Sequence, residues 1–266
     1  GTGTYGSVKT SYGAVGAGLN QWDAEIAENS NNEDLRYVSG LNRSTGILRN
    51  SINQQYTWGA ISKLEYDINP NLNVLVGVDW RTAKIWHWRE VRDLLGGDYY
   101  IYTGDDFASS IMKGLGDKVA YNNTNTVDWL GGYLQAKYTT RKLRAEVMAA
   151  YTNVSYTYTN EFKKDPTTGK AVFSENKGLG GYQLKGGASY DWTTSLQSFA
   201  NFGLVSRTPT FDGAIRDSDG FVYANPQNET FNSIDAGIKW SGLDGKLALA
   251  ASAYYTQWLN RTRTFN

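Results

Sequence analysis

One segment of the chain carries charged and titratable side chains at alternating positions. Asp79, Arg81, His87 and Arg89 all occupy odd-numbered positions between residues 72 and 89, and alternate residues of a β-strand point to the same side of a sheet. Two guanidinium groups and an imidazole on one face could contact a ligand or another domain, or they could form salt bridges in a polar interior that orient the strand. We therefore consider Arg81, His87 and Arg89 as candidate ligand contacts, with internal salt bridges as the alternative.

A second group of candidate ligand contacts lies in a segment rich in tyrosine and aspartate, residues 98–107. Tyrosine offers a rigid amphipathic surface and aspartate adds hydrogen-bond acceptors, a combination that suits sugars, catecholates and corrinoids. The candidates are Tyr99, Tyr100, Tyr102, Asp105 and Asp106. The alternative is that this loop packs on neighbouring loops and contacts no ligand.

Metal and catalytic motifs are weak. Residues 217–220 read Asp-Ser-Asp-Gly, but a helical calcium loop needs an oxygen ligand at its fifth position and glutamate at its twelfth, where this chain has Phe221 and Asn228. The chain has no cysteine and a single histidine, which excludes a thiol nucleophile and a multi-histidine metal site within it. No aspartate or glutamate lies in a recognisable acid–base context. We predict no cofactor, no metal and no enzymatic activity.

The charge balance and hydropathy exclude further classes. The chain has 26 basic and 26 acidic residues. It therefore lacks the basic excess that would indicate a nucleic-acid partner. The mean hydropathy is −0.50, and no run of about 18 apolar residues exists that could form a transmembrane helix.

The elements that must position the candidate residues are β-strands, because apolar and polar residues alternate over long stretches. Leu72, Val74, Val76, Val78 and Trp80, for example, fall on one face of a single stretch. Nine strands are predicted, at about residues 3–15, 53–67, 72–89, 126–138, 142–158, 181–192, 195–206, 231–241 and 246–260. Short polar turns alternate with long polar segments, which lie at about residues 19–51, 90–122, 160–180 and 206–229.

This pattern predicts a β-sheet with its apolar face against membrane lipid. Alternating short and long connections are typical of outer-membrane barrels, and apolar faces rich in alanine and glycine would fill a sandwich core poorly. Trp80, Tyr138, Trp192 and Trp240 are expected to form the aromatic girdle. The predicted fold is all-β: an antiparallel transmembrane β-barrel segment that spans residues 1–266 as one domain. Bacterial single-chain barrels normally have an even number of strands, and an open sheet would leave unpaired edges in lipid, so we expect further strands to complete the barrel.

Several motifs, in this order, resemble those of TonB-dependent outer-membrane receptors. Residues 202–211 resemble the strand that leads into an Arg-Thr-Pro-x-Phe turn, and residues 225–231 resemble the Asn-Pro-rich loop that follows. The strands at residues 233–240 and 253–261 are similar to the next two strands of the family. The usual Leu-Lys-Pro-Glu part of the loop is replaced by Asn-Glu-Thr at residues 228–230.

The resemblance implies a receptor that actively takes up a scarce solute, of the siderophore, cobalamin, oligosaccharide or peptide class, with energy supplied through TonB. It implies a bacterial outer-membrane location. The implied partners are membrane lipid, the solute and TonB, with accessory surface lipoproteins as further candidates. TonB would act through a plug domain that this sequence does not contain. The matching part is the middle of the barrel domain. The alternatives are a passive porin-like barrel and a soluble β-sandwich that binds glycans.

Overall fold

The computed structural model describes residues 2–6, 10–11, 19–20, 22–244 and 246–261, and strands dominate it. The two helices in this part of the chain are α1, Trp22–Asn29, and α2, Phe211–Ala214. The strands are β1 Thr2–Gly6, β2 Thr10–Ser11, β3 Leu19–Asn20, β4 Arg43–Ser44, β5 Gly46–Asn69, β6 Leu72–Asp93, β7 Tyr99–Ile101, β8 Met112–Lys113, β9 Lys118–Thr139, β10 Leu143–Lys164, β11 Ala171–Asp191, β12 Leu196–Arg207, β13 Glu229–Gly242 and β14 Leu247–Leu259. Neither helix has the length and apolar character needed to cross a membrane.

Nine strands form one antiparallel sheet, in the order β1-β5-β6-β9-β10-β11-β12-β13-β14. The long strands therefore pair in chain order, as expected where successive strands are joined by hairpin turns. Two small sheets, β2-β3 and β4-β7-β8, are formed by segments that connect the long strands. This arrangement confirms the predicted all-β, antiparallel fold with about nine strands.

The observed strand ends agree with the prediction at the short turns and differ at the long connections. The predicted strands over residues 195–206 and 246–260 lie within one residue of β12 and β14 at each end. At the long connections the strands extend further than predicted, because β9 begins at Lys118 and β11 begins at Ala171. The predicted strand over residues 3–15 lies partly outside the described residues, where β1 covers Thr2–Gly6.

The main sheet separates apolar from polar side chains along β13. Ile234 and Ile238 are 55% and 54% exposed on one face. On the opposite face the Asn201 amide donates to the Asp235 carboxylate over 2.9 Å. Two large aliphatic side chains left in the open are unusual for a surface in water, and an apolar outer face with a polar inner face is the pattern of a membrane barrel.

The chain divides into two compact units, each described here by itself. The first unit comprises the described residues up to Tyr56 together with Lys84–Thr126 and Tyr158–Ser174. Its core is the buried cluster Ile47, Val91 and Val119, against which the side chains of Leu94, Tyr100 and Tyr102 pack.

Asn29, at the end of α1, joins several segments of the first unit. Its buried amide nitrogen donates to the carbonyl oxygens of Gly46, Leu94 and Leu95, at 3.0 to 3.2 Å. Its side-chain oxygen accepts the backbone N–H of Thr45 at 2.9 Å. Buried backbone groups need hydrogen-bond partners, so this single side chain satisfies carbonyls that the strands leave unpaired.

The second unit comprises Thr57–Ala83, Val127–Thr157 and the described residues from Glu175 onward. Here the connection after β12 packs on β10. The buried Tyr156 hydroxyl donates to the Pro209 carbonyl over 3.0 Å, and its ring meets Phe211 edge-on at 5.5 Å. The Asn228 amide donates to the Gly180 carbonyl and the Ser206 hydroxyl. These contacts fix the backbone of the connection at its two ends.

Candidate functional site

Arg81 lies on β6 in the second unit, where it is paired along its own strand. Its guanidinium makes two hydrogen bonds to the Asp79 carboxylate, at 2.9 and 2.8 Å. The Arg81 side chain is nevertheless 55% exposed, so the charge pair lies open on the polar face. An exposed pair of this kind contributes little to stability, and the guanidinium keeps donors that can reach a ligand.

His87 and Arg89 lie further along β6 in the first unit. The Arg89 guanidinium donates to the Ser51 hydroxyl over 3.1 Å and stacks over the Tyr121 ring at 4.9 Å. His87 is half-buried. A guanidinium held by a hydroxyl and a ring, with no carboxylate among these contacts, keeps its positive charge available for an anionic partner.

The three candidate tyrosines are built into the packing of the first unit. Tyr99 is only 3% exposed, and burial raises the pKa of its phenol. Tyr100 packs against the buried apolar cluster. The Tyr102 hydroxyl donates to the Ala120 carbonyl over 3.0 Å, and its ring meets Phe162 at 5.6 Å. These contacts hold the loop in shape.

The two candidate aspartates hold the same loop by ionic contacts. Asp105 and Lys113 form an ion pair at 3.5 Å in which both side chains are largely buried. Asp106 accepts the backbone N–H of Lys164 and pairs with the Lys163 ammonium at 3.3 Å. These two contacts, the backbone hydrogen bond first, lower the pKa of Asp106 below its usual range.

An ionic cluster that the sequence did not single out lies near these loops in the first unit. The Asp34 carboxylate accepts two hydrogen bonds from Arg36, at 2.8 and 2.7 Å, and one from Arg43 at 2.9 Å. The Arg36 hydrogen bond, with support from Arg43, holds the pKa of Asp34 far below its usual range. The Arg43 guanidinium also lies 5.4 Å from the Tyr37 ring centre. Because the partners are nine residues apart at most, the cluster closes a local loop.

The structure gives the Asp217–Gly220 motif a structural role. The Asp219 carboxylate pairs with the Arg216 guanidinium and accepts the backbone N–H of Phe221. The hydrogen bond from Arg216, followed by that from the Phe221 backbone, lowers the pKa of Asp219, and these donors occupy the oxygens that a cation would need. Among the described residues no group of three or more His, Cys, Asp or Glu side chains could hold a metal ion.

The sequence analysis also missed a cavity of about 300 Å³ in the second unit. Strands β9, β10, β11 and β12 contribute to its walls, and the chain that leaves β12 closes it. Arg207 and Trp129 line it. The sequence analysis included Arg207 only in the Arg-Thr-Pro-x-Phe motif, because a cavity depends on how several strands and a connection pack, which no local pattern shows.

Comparisons with known proteins found similar solved structures. The structure of the ferric citrate transporter FecA in the unliganded form is similar at a TM-score of 0.53 and 13% identity, covering 79% of this chain and 28% of that chain. The ferric-catecholate import receptor Fiu from E. coli K12, in its open form, gives a TM-score of 0.45 and 16% identity, covering 82% and 32%. The alcaligin outer-membrane receptor FauA from Bordetella pertussis gives 0.44 and 12%, covering 83% and 33%.

The chain thus spans about a third or less of the length of these solved receptors. A search of curated proteins found no match. The likeness to FecA, at this identity, speaks for the fold alone. The family model described as "TonB dependent receptor-like, beta-barrel" matches residues 2–263, nearly the whole chain. The chain therefore belongs to the TonB-dependent receptor-like β-barrel family.

Proposed function

We propose that this chain forms part of the barrel wall and loops of a bacterial outer-membrane receptor that imports a scarce solute with TonB energy. The observation that carries the proposal is the family match over residues 2–263. The sheet supports it physically, because its strands place exposed apolar residues on one face and polar pairs on the other. Membrane lipid, the solute and TonB are the proposed partners, and surface lipoproteins are further candidates.

Within this function the predicted site residues fall into two roles. We assign solute contact to Arg81, His87 and Arg89, because each lies on the polar side of β6 and keeps part of its surface accessible. Two arginines and an imidazole favour an anionic solute or the anionic part of one. The solute classes under test are iron chelates, cobalamin, oligosaccharides and peptides.

The loop residues act by positioning. Tyr99, Tyr100 and Tyr102 pack in the first unit, and Asp105 is in a largely buried ion pair. We propose that they hold the loop rigid, while Asp106, whose side chain is 38% exposed in its pair with Lys163, adds an acceptor at the surface. A rigid loop loses less conformational entropy when a solute binds.

A nutrient-dependence experiment tests the function. A strain whose growth depends on the intact receptor is supplied with one iron chelate, cobalamin, oligosaccharide or peptide at a time, with and without functional TonB. We expect growth on one class to require both the receptor and TonB. Growth that requires the receptor but proceeds equally without TonB would contradict active transport and would favour the passive pore.

A further inference from the structure

The cavity in the second unit has aromatic and aliphatic walls. The rings of Trp129 and Tyr156 line it, together with Ala150 and Val205. Val205 lies directly opposite Gln183 in the β11–β12 register, and Gln183 also lines the cavity. A volume of about 300 Å³ lies at the small end of the range of roughly 300–1,000 Å³ found for small-molecule sites.

Polar groups with spare hydrogen-bonding capacity line this cavity. The Arg207 guanidinium is 62% exposed, and its ion pair to the Glu229 carboxylate spans 3.9 Å, too far for a hydrogen bond. The Gln183 amide makes no hydrogen bond to the described residues. Thr210 precedes α2, yet its hydroxyl does not cap that helix. The Trp129 indole N–H lies covered at the wall without an acceptor.

The charge of the lining is one-sided. Among the described residues that line the cavity, Arg207 is the charged group, and no aspartate or glutamate is present. Unpartnered donors next to a guanidinium favour a ligand that brings acceptor oxygens and negative charge. The aromatic walls favour a flat apolar body behind that charge.

We infer that this cavity binds a small molecule with a carboxylate or similar oxyanion on a flat apolar body, the oxyanion lying against Arg207. The inference deepens the proposed function, on which it rests, by naming a second solute-binding position and the chemical class it accepts. Gln183 and Thr210 position the acceptor, and Trp129 and Tyr156 contact the flat body.

The test uses the intact receptor, purified in detergent, and two fluorinated probes followed by ¹⁹F NMR line broadening. One probe is 4-fluorobenzoate and the other is 4-fluorobenzamide, which has nearly the same shape but no charge. We expect the benzoate to bind at least about tenfold more tightly than the amide, as one charge-assisted hydrogen bond allows. Equal binding of the two probes, or no broadening of the benzoate, overturns the inference.

Two variants locate the binding. Arg207→Gln removes the guanidinium and should weaken benzoate binding about tenfold or more, while Ala150→Leu fills the cavity and should abolish it. The matched control is Lys185→Gln, which removes a positive charge from an exposed position of β11 outside the cavity. Each variant must retain the gel-mobility shift on boiling that marks a folded barrel. Unchanged affinity in Arg207→Gln, or an equal loss in Lys185→Gln, overturns the inference.

The outcomes separate this inference from the proposed function. Probe binding needs no TonB, whereas the nutrient experiment does. TonB-dependent growth without benzoate binding would refute the inferred ligand of the cavity but would still support the proposed receptor function. Benzoate binding without any receptor-dependent growth would remove the transport function and leave the binding site standing.

Discussion

Replacement of Ile234 by arginine tests whether the apolar face of the sheet lies against lipid. Ile234 is 55% exposed and lies between Phe202 and Tyr255 of the neighbouring strands. Its neighbour Ser233 projects from the other face, between Gly203 and Thr256. Ser233→Arg is therefore the matched control, because it places the same side chain in the same strand one position away.

The size of the effect follows from the position of Ile234 along β13. It lies six positions from Trp240, the predicted girdle residue of this strand, or about 20 Å at about 3.4 Å per residue. With a strand tilt of about 40°, this is about 15 Å along the membrane normal, against an apolar band about 25 Å tall. Ile234 thus lies within a few ångströms of the midplane, where arginine costs about 2–4 kcal/mol.

Urea unfolding of the intact receptor in lipid vesicles measures this cost. We expect Ile234→Arg to lower the free energy of unfolding by about 2–4 kcal/mol, and Ser233→Arg to change it by less than about 1 kcal/mol. Similar losses in both variants would refute a lipid-facing wall. They would show that the two faces of β13 meet similar surroundings.

Three other perturbations test local contacts. Asn29→Asp keeps the side-chain shape but sets a carboxylate against carbonyl oxygens. Hydrogen exchange should therefore show about 3 kcal/mol less protection in the first unit. Unchanged protection would contradict the hydrogen-bonding role of Asn29. Tyr156→Phe leaves the Pro209 carbonyl without its donor and should cost about 1–2 kcal/mol in urea unfolding, whereas no loss would show that this bond is dispensable. Because Arg36 lowers the pKa of Asp34, the resistance of this loop to proteolysis should hold from neutral pH down to about pH 4. It should fall as the pH drops through the lowered pKa. An Asp34→Asn variant that loses resistance in acid in the same way would argue against a role for the Asp34 charge.

The strands near the short turns were predictable from sequence because successive side chains there alternate between an apolar and a polar face. The predicted ends of β12 and β14 lie within one residue of the observed ends. The start of β9 was missed because the run of residues 122–125, Asn-Asn-Thr-Asn, does not alternate. The Asn123 amide oxygen accepts from the Tyr158 hydroxyl, and the Thr124 hydroxyl donates to Glu161, so side-chain pairing supports strand structure there.

The sequence predicted which residues form the candidate site, but it did not predict which groups those residues contact. Sequence alternation placed Arg81, His87 and Arg89 on one side of β6, with Asp79 beside Arg81. The partners of Arg89, which are Ser51 on β5 and Tyr121 on β9, lie on other strands and no local pattern shows them. Burial of Tyr99 depends on how its loop packs within the first unit, and this loop lies 30 residues or more from β5 in sequence. A tyrosine-rich loop therefore indicates an aromatic surface or an aromatic core equally well.

The glycines explain how one sheet can hold large aromatic rings on both of its faces. Built onto Gly237, a Cβ would lie 2.7 Å from the Phe199 ring of the adjacent strand, and on Gly186 it would lie 2.6 Å from the Phe202 ring. The ring thus covers backbone that a side chain would otherwise hide, and the strand avoids the loss of packing that glycine usually causes. This holds on both faces, through Phe199 on one and Phe202 on the other, so Gly186 and Gly237 serve strand packing rather than turns.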